Sequence, residues 1–141
     1  MSRRYARESL LCLMYEYAVT GEAGNDTMNV MGDILSGKLT EADREYIDEC
    51  YQLFLDETDK LDSIISPALT SWNIERLSRV DISIIRLALL EILDRDEIPE
   101  KVSINEAVEL AKKYSTDQSP KFINGVLAGC LKHLDTAKKN E

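Results

Sequence analysis

Val80-Asp81-Ile82-Ser83-Ile84-Ile85-Arg86-Leu87-Ala88-Leu89-Leu90-Glu91-Ile92-Leu93 is apolar except at Asp81, Ser83, Arg86 and Glu91. A helix that is apolar around most of its circumference belongs at the centre of a fold, where neighbours cover it on most sides. Working outward, the flanking segments carry the one-sided 3.6-residue periodicity of helices that bury a single face.

On the C-terminal side, Pro99 closes the region. Ser103 and Glu106 have the form of a capping box for a helix carrying Ile104, Ala107, Val108, Ala111 and Tyr114, ending near Tyr114. Ser119 offers an N-cap and Pro120 the favoured first helical position of a last helix with Phe122, Ile123, Val126, Leu127, Cys130, Leu131 and Leu134. Asn124-Gly125 inside that stripe is a hairpin-turn pair, and a mid-helix glycine costs about 1 kcal/mol relative to alanine. The flanks have no strand alternation, so the helix is kept. The glycine then either admits a close approach by a backbone or ligand or serves plain helix packing.

On the N-terminal side, Ala6, Leu10, Leu13, Met14 and Tyr17 mark a first helix from Arg3 to about Val19, broken by the stretch Gly21 to Asn25. Met28, Val30, Met31, Ile34 and Leu35 suggest a short second helix ending near Gly37. Thr40 stands three residues before Asp43, close to a capping box, and opens a third helix with Tyr46, Cys50, Leu53 and Phe54 that runs to about Thr58. The stripe goes on through Leu61, Ile64 and Ile65 to Ala68. It does so as a continuation or as a separate helix bent near Asp59, with Pro67 accepted at a kink or near an end. The expectation is an all-α single domain over residues 1–141, with six to seven helices and no repeat or linker.

Composition agrees. The chain has 141 residues, 44% of them apolar, with six glycines and three prolines, too few for a loop-rich β sandwich. A chain of this length buries roughly 70% of the surface its unfolded form exposes, so neither disulfides nor a metal are needed. Cys12, Cys50 and Cys130 are far apart, lack CxxC spacing and have a single His133 beside them, so they read as small core residues and no metal site is expected. Glu8 and Glu16 bracket the run from Ser9 to Met14 too tightly for a secretory signal, and no uncharged stretch reaches the roughly 18 residues of a membrane span. A cytoplasmic protein in a reducing compartment, with no membrane partner, is expected.

With 17 basic against 26 acidic side chains the net charge is −9. Such a body repels nucleic acid unless its positive charge is gathered in one place. Residues 26–62 hold eleven acidic side chains against Lys38, Arg44 and Lys60, a local charge of −8. Residues 1–8 instead hold Arg3, Arg4 and Arg7 against Glu8, a local charge of +2, with Tyr5 among them. Arg3 and Arg7 share a helix face and Arg4 lies alongside, so several guanidinium forks can meet phosphates. Enzyme signatures are missing: there is no phosphate-binding glycine loop, nucleophile elbow or HExxH, and the paired carboxylates Asp48-Glu49 and Asp56-Glu57 diverge on a helix and form a solvated face. The chain is not expected to be an enzyme or to carry a cofactor.

Several segments together resemble one family. They are Val102-Ser103-Ile104-Asn105-Glu106-Ala107-Val108-Glu109-Leu110-Ala111-Lys112 and Lys121-Phe122-Ile123-Asn124-Gly125-Val126-Leu127, with Val80-Asp81, Ile85-Arg86-Leu87-Ala88-Leu89 and Glu91, and Arg3-Arg4 with Ala6-Arg7-Glu8 and Tyr15. In this order, over nearly the whole chain, they resemble the NusB transcription antitermination factors. The resemblance implies an all-helical fold of two three-helix subdomains. It also implies binding of boxA-type single-stranded RNA together with NusE, a small-subunit ribosomal protein, in a complex that makes RNA polymerase resist termination on ribosomal RNA operons. By position, Arg3, Arg4 and Arg7 would contact phosphates or bases, and Lys121, Phe122 and Asn124 would complete the RNA surface. Phe122 would stack on an unpaired base, although its spacing suits a core residue equally well.

Tyr15 and Asp81 match positions that look towards NusE, and Asp81 also reads as the third residue of a helix capped by Ser78. Two departures from the family pattern bear on the RNA surface. Gln118 stands where relatives often have an acid, and Tyr5 where some have a basic residue. The first favours RNA; the second removes a phosphate-seeking charge. The alternative to an RNA-binding factor is a protein-only helical adaptor or a homodimer.

Overall fold

Every residue from Ile82 to Glu91 is buried, as the apolar circumference of this segment requires. The computed structural model describes residues 3–24, 37–70 and 73–139. Among these residues the secondary structure is entirely helical: α1 (Arg4–Thr20), α2 (Glu41–Ile65), α3 (Arg79–Asp94), α4 (Glu100–Tyr114) and α5 (Ser119–Lys139), with 3-10 turns at Ser66–Ala68 and Ile74–Arg76. The all-α expectation holds, with five α-helices among the described residues instead of six to seven. The short helix expected around Met28 to Leu35 lies outside the described residues. The stripe through Leu61, Ile64 and Ile65 continues α2 without a break at Asp59. Nothing between Thr58 and Ile65 is a helix breaker, and Pro67 falls in the 3-10 turn after the helix has ended.

The chain divides into two compact units, Met1–Asp56 and Glu57–Glu141, and the boundary falls inside α2. In the first unit, Ala6, Leu10, Leu13 and Met14 of α1 and Tyr46, Ile47, Cys50 and Phe54 of α2 are buried. Each such large side chain contributes roughly 1.5–3 kcal/mol of burial free energy. The rings of Tyr17 and Phe54 meet edge-on at 5.2 Å, joining α1 to α2. Gly21 ends α1 in the left-handed conformation (φ 77°), and its N–H donates to the Tyr17 carbonyl at 2.7 Å. Thr40 and Asp43 form a reciprocal capping box. The Asp43 N–H donates to Thr40 Oγ1 and the Thr40 N–H to Asp43 Oδ2, each at 3.0 Å.

In the second unit, α3 packs against both α4 and α5, and these two pack against each other. The buried polar residues of α3, Ser83, Arg86 and Glu91, are all hydrogen-bonded. Arg86 donates Nε and Nη2 to the two carboxylate oxygens of Asp62 at 2.9 and 2.8 Å, a bidentate fork. Ser83 Oγ donates to the Arg79 carbonyl at 2.6 Å. Ser103 Oγ donates to buried Glu91 Oε1 at 2.8 Å. That last bond corrects the capping box expected at Ser103 and Glu106. Pro99 occupies the N-cap of α4, and Ser103 lies within the helix with its hydroxyl committed to α3. A buried carboxylate needs a donor, and that demand outweighed the local signal.

The last helix also starts slightly early. Ser119 is already helical, so Pro120 sits one residue inside the start and remains in the first turn, where its missing N–H costs nothing. Asn124 and Gly125 are helical, as the missing strand alternation implied.

Candidate functional site

The arginines at the start of α1 do not share one environment. Arg4 is exposed, Arg3 half-buried and Arg7 only 6% exposed. The 3.6-residue period explains the split, because Leu10 and Met14 follow Arg7 by three and seven residues and lie on its face. The spacing that unites Arg3 and Arg7 therefore unites them on the buried side, a signal already present in the sequence. Arg3 places its guanidinium 4.5 Å from the centroid of the Tyr46 ring on α2. Arg4, by contrast, lies on the exposed side of the helix. Tyr5 is 41% exposed, and Lys38 brings its Nζ to 5.3 Å from the Tyr5 ring centroid. A cation from a distant part of the chain thus stands beside Tyr5. Further along α1, Tyr15 and Val19 are exposed at 43% and 56%.

In the second unit, Lys121 and Asn124 are exposed and Phe122 is half-buried, all on the first turns of α5. Phe122 lines two concavities. One, of about 800 Å³, is also lined by Leu69, Gln118, Lys121 and Gly125. The other, of about 340 Å³, is also lined by Arg76, Ser78, Asp81 and Gln118. The Phe122 ring is thus neither a sealed core residue nor a free one. Among the described residues a Cβ on Gly125 would meet nothing within 4 Å, so this glycine packs against none of them and leaves the wall of the larger concavity bare. The close packing occurs one helical turn later. A Cβ on Gly129 would stand 3.2 Å from Ala68 Cβ in the 3-10 turn.

Asp81 has a structural role. Its N–H donates to Ser78 Oγ at 3.0 Å, the N-cap bond expected for α3. Its carboxylate accepts hydrogen bonds from Ser115 Oγ at 2.5 Å and Ser119 Oγ at 3.0 Å. The structure thereby brings Asp81, Phe122 and the start of α5 together in one unit, while Arg3, Arg4, Arg7 and Tyr15 belong to α1 of the other. Ser115 and Ser119 were not legible as site residues, because Ser115 shows no motif and Ser119 reads only as a helix cap until α3 supplies the carboxylate.

Among the described residues, no group of three or more His, Cys, Asp or Glu side chains is placed to hold a metal ion. Also among them, no helix is long and apolar enough to cross a membrane. None of the three cysteines forms a disulfide. Cys50 and Cys130 are buried, Cys12 is half-buried, and burial pushes the Cys130 thiol up to about 11. Burial, with the Glu8 carboxylate nearby, raises the Cys12 thiol too, so neither of these two is an activated nucleophile.

The sequence profile of the NusB family matches residues 4–132. The transcription antitermination protein NusB of Ruminiclostridium cellulolyticum is 42% identical over 128 residues, covering 91% of this chain and 87% of that protein. Its counterpart in Agathobacter rectalis is 42% identical over 130 residues, covering 91% and 98%. Among solved structures, T. maritima NusB superposes with a TM-score of 0.81 at 30% identity, covering 94% of this chain and 92% of that one. The structure of antitermination factors NusB and NusE in complex with dsRNA gives a TM-score of 0.80 at 26% identity, covering 93% and 96%. With the profile matching nearly the whole length and relatives above 40% identity, the chain belongs to the NusB family.

Proposed function

We propose that the chain, with residues 1–141 acting as one RNA-binding domain, is a transcription antitermination factor. It binds boxA-type single-stranded RNA together with the ribosomal protein NusE, in an RNA polymerase antitermination complex on ribosomal RNA operons, and works by binding rather than catalysis. The similar antitermination proteins and the neighbour solved with NusE and dsRNA support this reading. The geometric observation that carries it is the start of α5. Exposed Lys121 and Asn124 flank the half-buried Phe122 ring beside a concavity that Gly125 leaves open. An aromatic face with a cation and an amide beside it suits a splayed-out base and its phosphate.

Arg4 and Lys38 supply exposed charge at the start of α1, and Tyr5 between them offers a second ring. Arg3 contributes from its seat over Tyr46, and Arg7, being buried, acts mainly by holding α1 in place. Tyr15 and Asp81 are assigned to the protein partner, with exposed Val19 extending the apolar surface around Tyr15 on α1. A small basic patch on an acidic body gives modest, salt-sensitive affinity for RNA alone, and NusE adds contacts.

The test is fluorescence anisotropy of a labelled boxA-type RNA, a scrambled RNA and a duplex of the same length, titrated at two salt concentrations with and without NusE. Tighter binding to boxA that NusE strengthens is expected. Equal, feeble binding to all three even with NusE present would favour a protein-only adaptor or homodimer.

A further inference from the structure

The turn between α4 and α5 is held at both ends by one side chain. Ser115, the C-cap of α4, donates its hydroxyl to Asp81 Oδ1 at 2.5 Å, and Ser119, the first residue of α5, donates to Asp81 Oδ2 at 3.0 Å. Ser119 is 2% exposed. With both serine protons directed at the carboxylate, Ser119 Oγ accepts from Thr116 Oγ1 at 2.8 Å and from the Thr116 N–H at 3.3 Å. Asp81 is itself fixed, because its N–H is bonded to Ser78 Oγ in the first turn of α3. Hydrogen bonds to an ionised acceptor are about twice as strong as neutral ones, so the carboxylate can set the geometry of the turn. It also lies at the starts of two helices, where a negative charge is favoured by both backbone dipoles.

Lys121 and Phe122 follow Ser119 by two and three residues, and Phe122 lines the same concavity as Asp81 and Ser119. We infer that Asp81 is a positioning residue for RNA binding: acting through Ser115 and Ser119, it fixes the direction in which the first turn of α5 presents Lys121 and Phe122. This rests on the reading of that turn as an RNA surface. It adds to Asp81 a task separate from partner contact, and it gives Ser115 and Ser119 a function that their positions in the sequence do not reveal.

The experiment titrates boxA-type RNA with the full chain as wild type, Ser115→Ala, Ser115→Thr and Asp81→Ala, and repeats the alanine substitutions in a Phe122→Ala background. Amide exchange at residues 119–123, where Pro120 carries no N–H, is measured in parallel. Loss of one charge-assisted hydrogen bond predicts roughly fivefold weaker binding for Ser115→Ala, recovery in Ser115→Thr, which keeps the hydroxyl, and a larger loss in Asp81→Ala. In the Phe122→Ala background the same substitutions should cost less than about twofold, because residues that act through one another are not additive. Exchange at 119–123 should quicken in Ser115→Ala while that of α3 stays unchanged.

Unchanged RNA affinity in Ser115→Ala, or an equal loss in both backgrounds, overturns the inference. Because Ser115→Ala leaves Asp81 and the buried Ser119 in place, it keeps the test informative if Asp81→Ala fails to fold. A wild-type chain that binds no RNA overturns the functional reading instead, and exchange at 119–123 still reports whether the serine contacts order the turn.

Discussion

The starts of α1 and α5 carry the candidate RNA residues, yet they are held in different ways. At α1 the N-cap, Arg3, makes no side-chain capping bond, and the chain enters the helix through arginines of graded burial. At α5 a carboxylate and three hydroxyls tie the turn from both ends. The difference is one of electrostatics against geometry. In the proposed reading Arg4 and Lys38 act through charge, whose pull on phosphates extends over a Debye length of about 10 Å at 0.1 M salt and tolerates imprecise placement. A base stacked on Phe122, as proposed, tolerates little misplacement, and the residues before Phe122 are correspondingly fixed. A binder that needs both affinity and selectivity gains from having one of each.

The largest effect that sharpens this contrast should come from Arg7. Being buried and partnered, it belongs to the support of α1, so Arg7→Ala should destabilise the fold by about 3 kcal/mol, read by urea denaturation. A loss under 0.5 kcal/mol with weakened RNA binding would return Arg7 to the contact surface. Phe122→Ala should weaken boxA binding by about tenfold, in the range of one lost base stack, while costing less in stability than a core phenylalanine because the ring is half-buried.

Gly125→Ala separates stability from binding. The helix should gain up to about 1 kcal/mol, since the methyl meets nothing among the described residues, whereas RNA affinity should fall if the bare wall accommodates a nucleotide. A rise in stability with unchanged binding would detach Gly125 from the surface.

The remaining effect is confined to alkaline pH. Cys130 titrates at about 11 in the fold against an ordinary value near 9, so the native state holds its proton more tightly. Its contribution is complete below pH 9 and is lost as the pH rises towards 11; chemical denaturation across that window should show a decline that Cys130→Ala lacks.

Much of the fold was legible because it rests on periodicity. The run from Val80 to Leu93 announced a buried helix, and Gly21, Thr40 and Asp43 marked ends that the structure reproduces. Ser103 was misread for a physical reason. A serine three residues before a glutamate satisfies a local rule, but the Glu91 carboxylate, twelve positions away, needs a donor inside the core, and no local pattern reports that demand. The arginines illustrate the opposite case. The burial of Arg7 is readable from Leu10 and Met14, which follow it on the same helix face. The link of Asp81 to Ser115 and Ser119, and that of Lys38 to Tyr5, join residues more than thirty positions apart and became visible only with the coordinates.

The most direct test of a charge-led α1 and a geometry-led α5 is the salt dependence of boxA-type RNA binding for wild type, Arg4→Ala and Phe122→Ala. The account predicts that Arg4→Ala flattens the slope of log K against log salt by roughly 0.7, the value for one phosphate contact on a single strand. Phe122→Ala should instead lower affinity equally at every salt concentration and leave the slope unchanged. Equal slopes in all three proteins, or a flattened slope in Phe122→Ala alone, would contradict it.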